Sequence, residues 1–229
     1  MNIYNLLTVI ILLVIAFFIS RTSTKFKRKL LPSIAMILLV YKIAEYSYYI
    51  INLEVDKIPI EFSTLAYFLF GVVVLFKIKE LYPVAAFASF ISGIGYLLVF
   101  IFMGDQYVVI HGFYSTLIAL SSHFILLLGS VLLKNIAIAK TKDIKYIIIY
   151  TVFYLIYVGI MNIIIDYSQS YLFINLLLKA EILENMLSTT DIANYIYWLY
   201  YIIIVGIYLL VIFIFFKIYE RDHSKKIMH

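Results

Sequence analysis

Apolar runs recur along the whole chain, each of the length, about 17 residues or more, that a helix needs to cross a hydrocarbon core roughly 30 Å thick. A chain built this way has few folds open to it, because in lipid every backbone polar group must be satisfied within its own segment. Composition agrees. Hydrophobic residues make up 65% of the 229 and charged residues 14%, against about half and about a quarter in ordinary soluble domains. The expected fold is all-α, a polytopic membrane bundle forming one integral membrane domain over residues 1–229. Its seven transmembrane helices are expected near 3–20, 31–53, 58–76, 82–103, 107–133, 146–166 and 195–216.

Lysine and arginine set the expected sidedness. Of 18 such residues, all but Lys42, Lys57 and Lys179 fall in alternate loops or in the tail. The densest group is "RTSTKFKRK", with Arg21, Lys25, Lys27, Arg28 and Lys29. This asymmetry predicts an N-terminus outside, a C-terminus in the cytoplasm and a multi-pass location in the cell membrane. The first run has its basic cluster behind it, the reverse of a secretory signal, and is read as a retained span. The long connection 167–194 has a mixed apolar face and is expected to form an interfacial helix on the outer side. The net charge of +5 is a loop property, so no nucleic acid is expected as a partner. Membrane lipid is the expected partner; protein partners are left open.

Ionisable groups inside a span cost at least about 2.5–3.5 kcal/mol each, so they face the protein interior or water. The stretch "IPIEFSTLAYF", Ile58–Phe68, places Glu61, Ser63 and Thr64 in the first turns of an apolar segment. Lys42 and Glu45 lie three apart in the second span, His123 in the middle of the fifth, and Asn162 in the sixth. Counted at about 1.5 Å per residue from the basic ends of their spans, Lys42, Glu45, Glu61, Ser63, His123 and Asn162 fall in one slab at or just outside the midplane. Each also has a purely structural role open to it: a neutral Lys42–Glu45 pair, a Glu61 that complements the positive end of a helix, hydroxyls and an amide that bond neighbouring helices. His123 needs a partner at that depth, and its proton chemistry suits a general base. The chain has no cysteine, which removes thiolate chemistry. No spacing points to a metal site, and no cofactor is expected.

On "IPIEFSTLAYF", on His123 in "LSSHFILLLGS", and more loosely on "SYLFIN" (170–175) and "NYIYWLYY" (194–201), the chain resembles the YwaF-like integral membrane proteins. Their animal relatives include a membrane acyltransferase acting on ether phospholipids, and androgen-induced-gene type membrane hydrolases are distantly similar. The family pattern around Pro59 carries a histidine and a cysteine where this chain has Glu61 and Ser63. The resemblance implies an intramembrane lipid acyl hydrolase or acyltransferase, with Ser63 as nucleophile and His123 as its base, in a polar chamber between spans 2, 3, 5 and 6. Lys42, Glu45, Glu61 and Asn162 would support the site or bind substrate. On this expectation Ser63 meets His123 at about 2.6–3.2 Å, while Glu61, about 200° away around the helix, turns to a partner such as Lys42. The alternative reading is a transporter or solute-binding membrane subunit with a buried Lys/Glu site.

Overall fold

In the computed structural model the described residues are 2–54, 60–136, 143–164 and 193–227. They form helices α1 (Ile3–Arg21), α2 (Thr24–Ile51), α3 (Phe62–Leu75), α4 (Tyr82–His111), α5 (Phe113–Ile136), α6 (Ile144–Ile164) and α7 (Ala193–Ile227), with a 3-10 turn, Lys79–Leu81, ahead of α4. The chain divides into two compact units, Met1–Leu155 and Ile156–His229.

Among the described residues five helices are long and apolar enough to cross a membrane, α1, α2, α5, the 3-10 turn with α4, and α6 as far as Met161, and this is the architecture of a helical membrane protein. Their lipid-facing sides explain the composition. Ile10, Ile37, Val40, Phe102 and Val109 are exposed, a display that water-soluble proteins rarely tolerate as a continuous surface. Two apolar helices among the described residues are shorter: Phe62–Leu75, and Ile202–Lys217 within α7.

In the first unit α4 and α5 make the broadest contact, α3 lies against α2 and α4, and α1 rests on α4 and α5. Capping and terminal hydrogen bonds shape the corners. Ser23 caps α2 by accepting from the Phe26 amide at 3.2 Å, and Lys27 Nζ donates to the Ser20 carbonyl at 2.7 Å, closing the end of α1. At the other end Asn2 Nδ2 donates to Asp105 Oδ2 at 2.6 Å, which sets the start of α1 beside the last turns of α4. We call these the basic end and the Asn2–Asp105 end.

The spans expected at 82–103 and 107–133 are redrawn. Gly104-Asp105-Gln106 resembles a turn in sequence, yet α4 runs through it to His111. Gly104 is buried and lies against Asn5, so its missing side chain serves helix contact. The break comes at Gly112, whose φ of 83° suits glycine. Likewise α3 has 14 residues, not the expected 19, and starts at Phe62. Half of it is buried, including Tyr67, Phe70 and Gly71, as befits the central helix of the unit. Pro59 and the interfacial helix expected within 167–194 lie outside the described residues.

A buried polar layer between α2, α3, α4 and α5

Lys42 on α2 is 6% exposed, and its ammonium is held by one carboxylate and two rings. Nζ donates to Glu45 Oε2 at 2.6 Å, as the spacing of three on one helix predicts. The same Nζ stands 4.5 Å from the centroid of the Tyr67 ring and 5.2 Å from that of Tyr41. Tyr41 donates its hydroxyl to the second carboxylate oxygen, Glu45 Oε1, at 3.1 Å. A desolvated ammonium over a ring face gains up to about 2 kcal/mol, so the rings carry part of what water would otherwise supply.

Tyr67 connects this pair to His123. Its hydroxyl lies 2.7 Å from Nδ1 and 3.2 Å from Nε2 of the imidazole, and the two rings are nearly parallel, 19° apart. The Tyr96 ring of α4 closes on His123 edge to face, with centroids 4.1 Å apart. Four helices thus contribute one layer: Lys42, Tyr67, Tyr96 and His123.

Toward the basic end the layer is sealed. Gly71, one turn beyond Tyr67, lies against Leu39; Gly129, further along α5 than His123, lies against the Phe70 ring; Gly93 fits against the backbone of α5 at His123 and Leu127. Leu38, Phe70 and Phe87 are fully buried there. Toward the Asn2–Asp105 end the layer is looser, and Tyr41, Glu45, Tyr46, Glu61, Ser63 and Tyr96 are only half-buried. Tyr46 and Thr64 share a hydrogen bond of 2.9 Å between their hydroxyls. Phe62 holds the start of α3 against Tyr150 and Tyr154 of α6 through edge-to-face contacts.

The expected Ser63–His123 hydrogen bond is absent. Ser63 Oγ donates instead to Glu61 Oε2 at 3.3 Å, and His123 is held by Tyr67. Two features of the chain explain this. Glu61 is the N-cap, with an extended backbone (φ −65°, ψ 145°), so the 200° separation of two helical residues does not apply to it. Ser63 and Tyr67 are one turn apart on one face of α3, and it is the deeper of the two that reaches the imidazole. Lys42 pairs with Glu45 and not with Glu61. The Asn162 side chain lies outside the described residues. Tyr41, Tyr46, Tyr67 and Tyr96 do not stand out in the sequence, where 22 tyrosines leave little contrast.

Among the described residues no three of His, Cys, Asp and Glu gather as metal ligands. A recess of about 340 Å³ lies by Asp105, Gln106, Val109 and Ile110, apart from every residue of the layer. The chain matches no family model, no curated protein and no solved structure. The chemistry of the layer itself is therefore what points to a function.

Proposed function

We propose that the chain is a multi-pass protein of the cell membrane, with seven spans, the N-terminus outside and the C-terminus cytoplasmic, that binds a small polar solute in the layer around Lys42, as a transporter or solute-binding subunit. The observation that carries this reading is the Lys42–Glu45 pair buried under Tyr67 and joined through it to His123. Charges kept at this depth in a membrane protein mark substrate or ion pathways. The half-buried rim toward the Asn2–Asp105 end offers the approach, and the placement of the basic residues supports that end being the outer one. The test is native mass spectrometry of the protein extracted in mild detergent, followed by uptake of the released compound into proteoliposomes. A small-molecule adduct in the wild type that disappears in Lys42→Met and in Glu45→Gln is expected. An adduct unaffected by both, or no adduct and no uptake, would overturn the reading.

A second reading keeps the kinship with YwaF-like proteins and lipid acyl chemistry. It is favoured by Ser63 standing one turn from Tyr67 on α3, so that displacement of the Tyr67 hydroxyl would free His123 toward it. His123 would take the Ser63 proton as Oγ attacks an ester carbonyl and return it to the leaving alcohol. Acyl release from defined phospholipid, lost equally in Ser63→Ala and His123→Ala, would support it; no release across several lipid classes would remove it.

A further inference from the structure

Helix α2 turns one side to lipid. Lys25, Lys29, Ser33, Met36 and Val40 follow one another at intervals of four, four, three and four, which keeps them on one helix face, and all five are exposed. The opposite face, with Leu31, Ala35, Leu38 and Lys42, is buried in the bundle. Met36 and Val40, 50% and 57% exposed, belong to the apolar surface that meets acyl chains, and Lys25 and Lys29 continue that face toward the basic end. From Lys29 to Val40 the helix rises about 16 Å, the depth of one leaflet of a hydrocarbon core roughly 30 Å thick. A phospholipid lying along this face sets a chain on Met36 and Val40 and its headgroup beside the two lysines. Phe26, 48% exposed, stands next to Lys25, where an aromatic ring suits the membrane interface.

Within the helix these lysines are unfavourable. They stand four apart with like charge, at the positive N-terminal end of α2, and the first turn holds no acidic residue. No acidic residue precedes Glu45 anywhere in the chain. Lys25 and Lys29 form no ion pair among the described residues, whereas Lys27, on the buried side, donates to the Ser20 carbonyl at 2.7 Å. Sidedness asks for basic residues at this end of the protein but not for one face of the helix. An anion supplied by the bilayer accounts for the face.

We propose that this side of α2 binds a phospholipid with a net negative headgroup, its phosphate held by Lys25 and Lys29 and an acyl chain laid along Met36 and Val40. A zwitterionic headgroup brings a cation of its own against the lysines and gains less. A free phosphate meets the same charges but has nothing to set against the apolar half of the face, so the bilayer is the source.

The full-length protein in nanodiscs of equal parts phosphatidylglycerol and phosphatidylcholine is analysed by native mass spectrometry for the lipid that stays bound as the disc is stripped away. Phosphatidylglycerol should be enriched over phosphatidylcholine. Lys25→Gln and Lys29→Gln should each reduce the enrichment by up to about fivefold, the worth of one basic residue near an anionic surface, while Lys25→Arg/Lys29→Arg keeps it. The charge-matched control is Lys77→Gln/Lys79→Gln. These exposed residues follow α3, which runs antiparallel to α2, as Leu39 against Gly71 and Tyr46 against Thr64 show, so they sit at the same end but off this face. The control should leave the enrichment nearly unchanged. Equal loss in the control and in Lys25→Gln/Lys29→Gln would assign the effect to the net charge of that end and overturn the proposal. So would no enrichment in the wild type, enrichment indifferent to both glutamine substitutions, or loss in the arginine variant. Enrichment abolished by glycerol phosphate in the buffer would give the lysines to a soluble anion and overturn it as well.

Discussion

Tyr67 and His123 join α3 to α5 through a hydrogen bond of 2.7 Å between two buried side chains. The same tyrosine presents its ring to Lys42 at 4.5 Å, so one residue serves the imidazole with its edge and the ammonium with its face.

Tyr67→Phe separates these two services. The ring remains for Lys42, while the imidazole loses its hydroxyl partner in a setting that water does not readily enter. A buried polar group left unsatisfied costs about 1–3 kcal/mol, and the variant should lose stability by that amount in detergent. Thermal unfolding measures the loss, and the nitrogen chemical shifts of His123 should move with it. Unchanged shifts would mean that the imidazole does not depend on Tyr67.

The ion pair makes a sharper prediction. Lys42→Met leaves Glu45 with only the Tyr41 hydroxyl, and Glu45→Gln leaves a buried ammonium without its counter-charge. Breaking a buried pair costs about 3–5 kcal/mol, and the partial exposure of Glu45, 18% for its side chain, places this one toward the lower figure. The double variant Lys42→Met/Glu45→Met should be more stable than either single one, since no charge is stranded. A double-mutant cycle on unfolding free energies checks this. Additive losses would show that the pair is uncoupled.

Gly93 sets the distance between α4 and α5. A Cβ there would stand 2.7 Å from the Leu127 amide nitrogen and 2.9 Å from the His123 carbonyl oxygen, and backbone cannot yield as a side chain can. Gly93→Ala should therefore destabilise by about 1–3 kcal/mol, the usual cost of overpacking, and shift Tyr96 away from His123. Gly95, two residues on, has nothing within 4 Å. There alanine relieves a helix-interior glycine at a gain of about 1 kcal/mol. Opposite signs in the two melting curves are the expected result.

Much of this arrangement is legible in the amino-acid sequence. Lys42, Glu45 and His123 stand out because an ionisable group among apolar neighbours needs a reason, and the spacing of three already pairs Lys42 with Glu45. Depth can also be counted: Ser63 and His123 come out about 5 Å apart at helical rise, close to one turn. That difference is the step from Ser63 to Tyr67. Counting along an axis does not identify which residue of a helical face is the one in contact, and a tyrosine among many carries no mark of its own. The ends of α4 and α5 are hidden for a related reason. Gly104 and Gly112 look alike in sequence, but one serves a close approach of helices and the other a left-handed turn.

The sidedness prediction is open to a direct chemical test, because the chain has no cysteine and single cysteines can be placed at will. Three corners of the first unit are chosen: Ser23 between α1 and α2, Glu54 after α2, and Phe113 at the start of α5. Helix order alone puts Glu54 and Phe113 on one side and Ser23 on the other, since α2 lies between Ser23 and Glu54. The basic residues flanking Ser23, Arg21 and Lys25 among them, predict that its side is the cytoplasm. In intact cells a membrane-impermeant maleimide should label Glu54→Cys and Phe113→Cys and leave Ser23→Cys unlabelled until the membrane is opened. Labelling of Ser23→Cys alone would invert the protein and turn the open rim of the Lys42 layer toward the cytoplasm. Labelling of all three before opening would contradict the passage of α2 through the membrane.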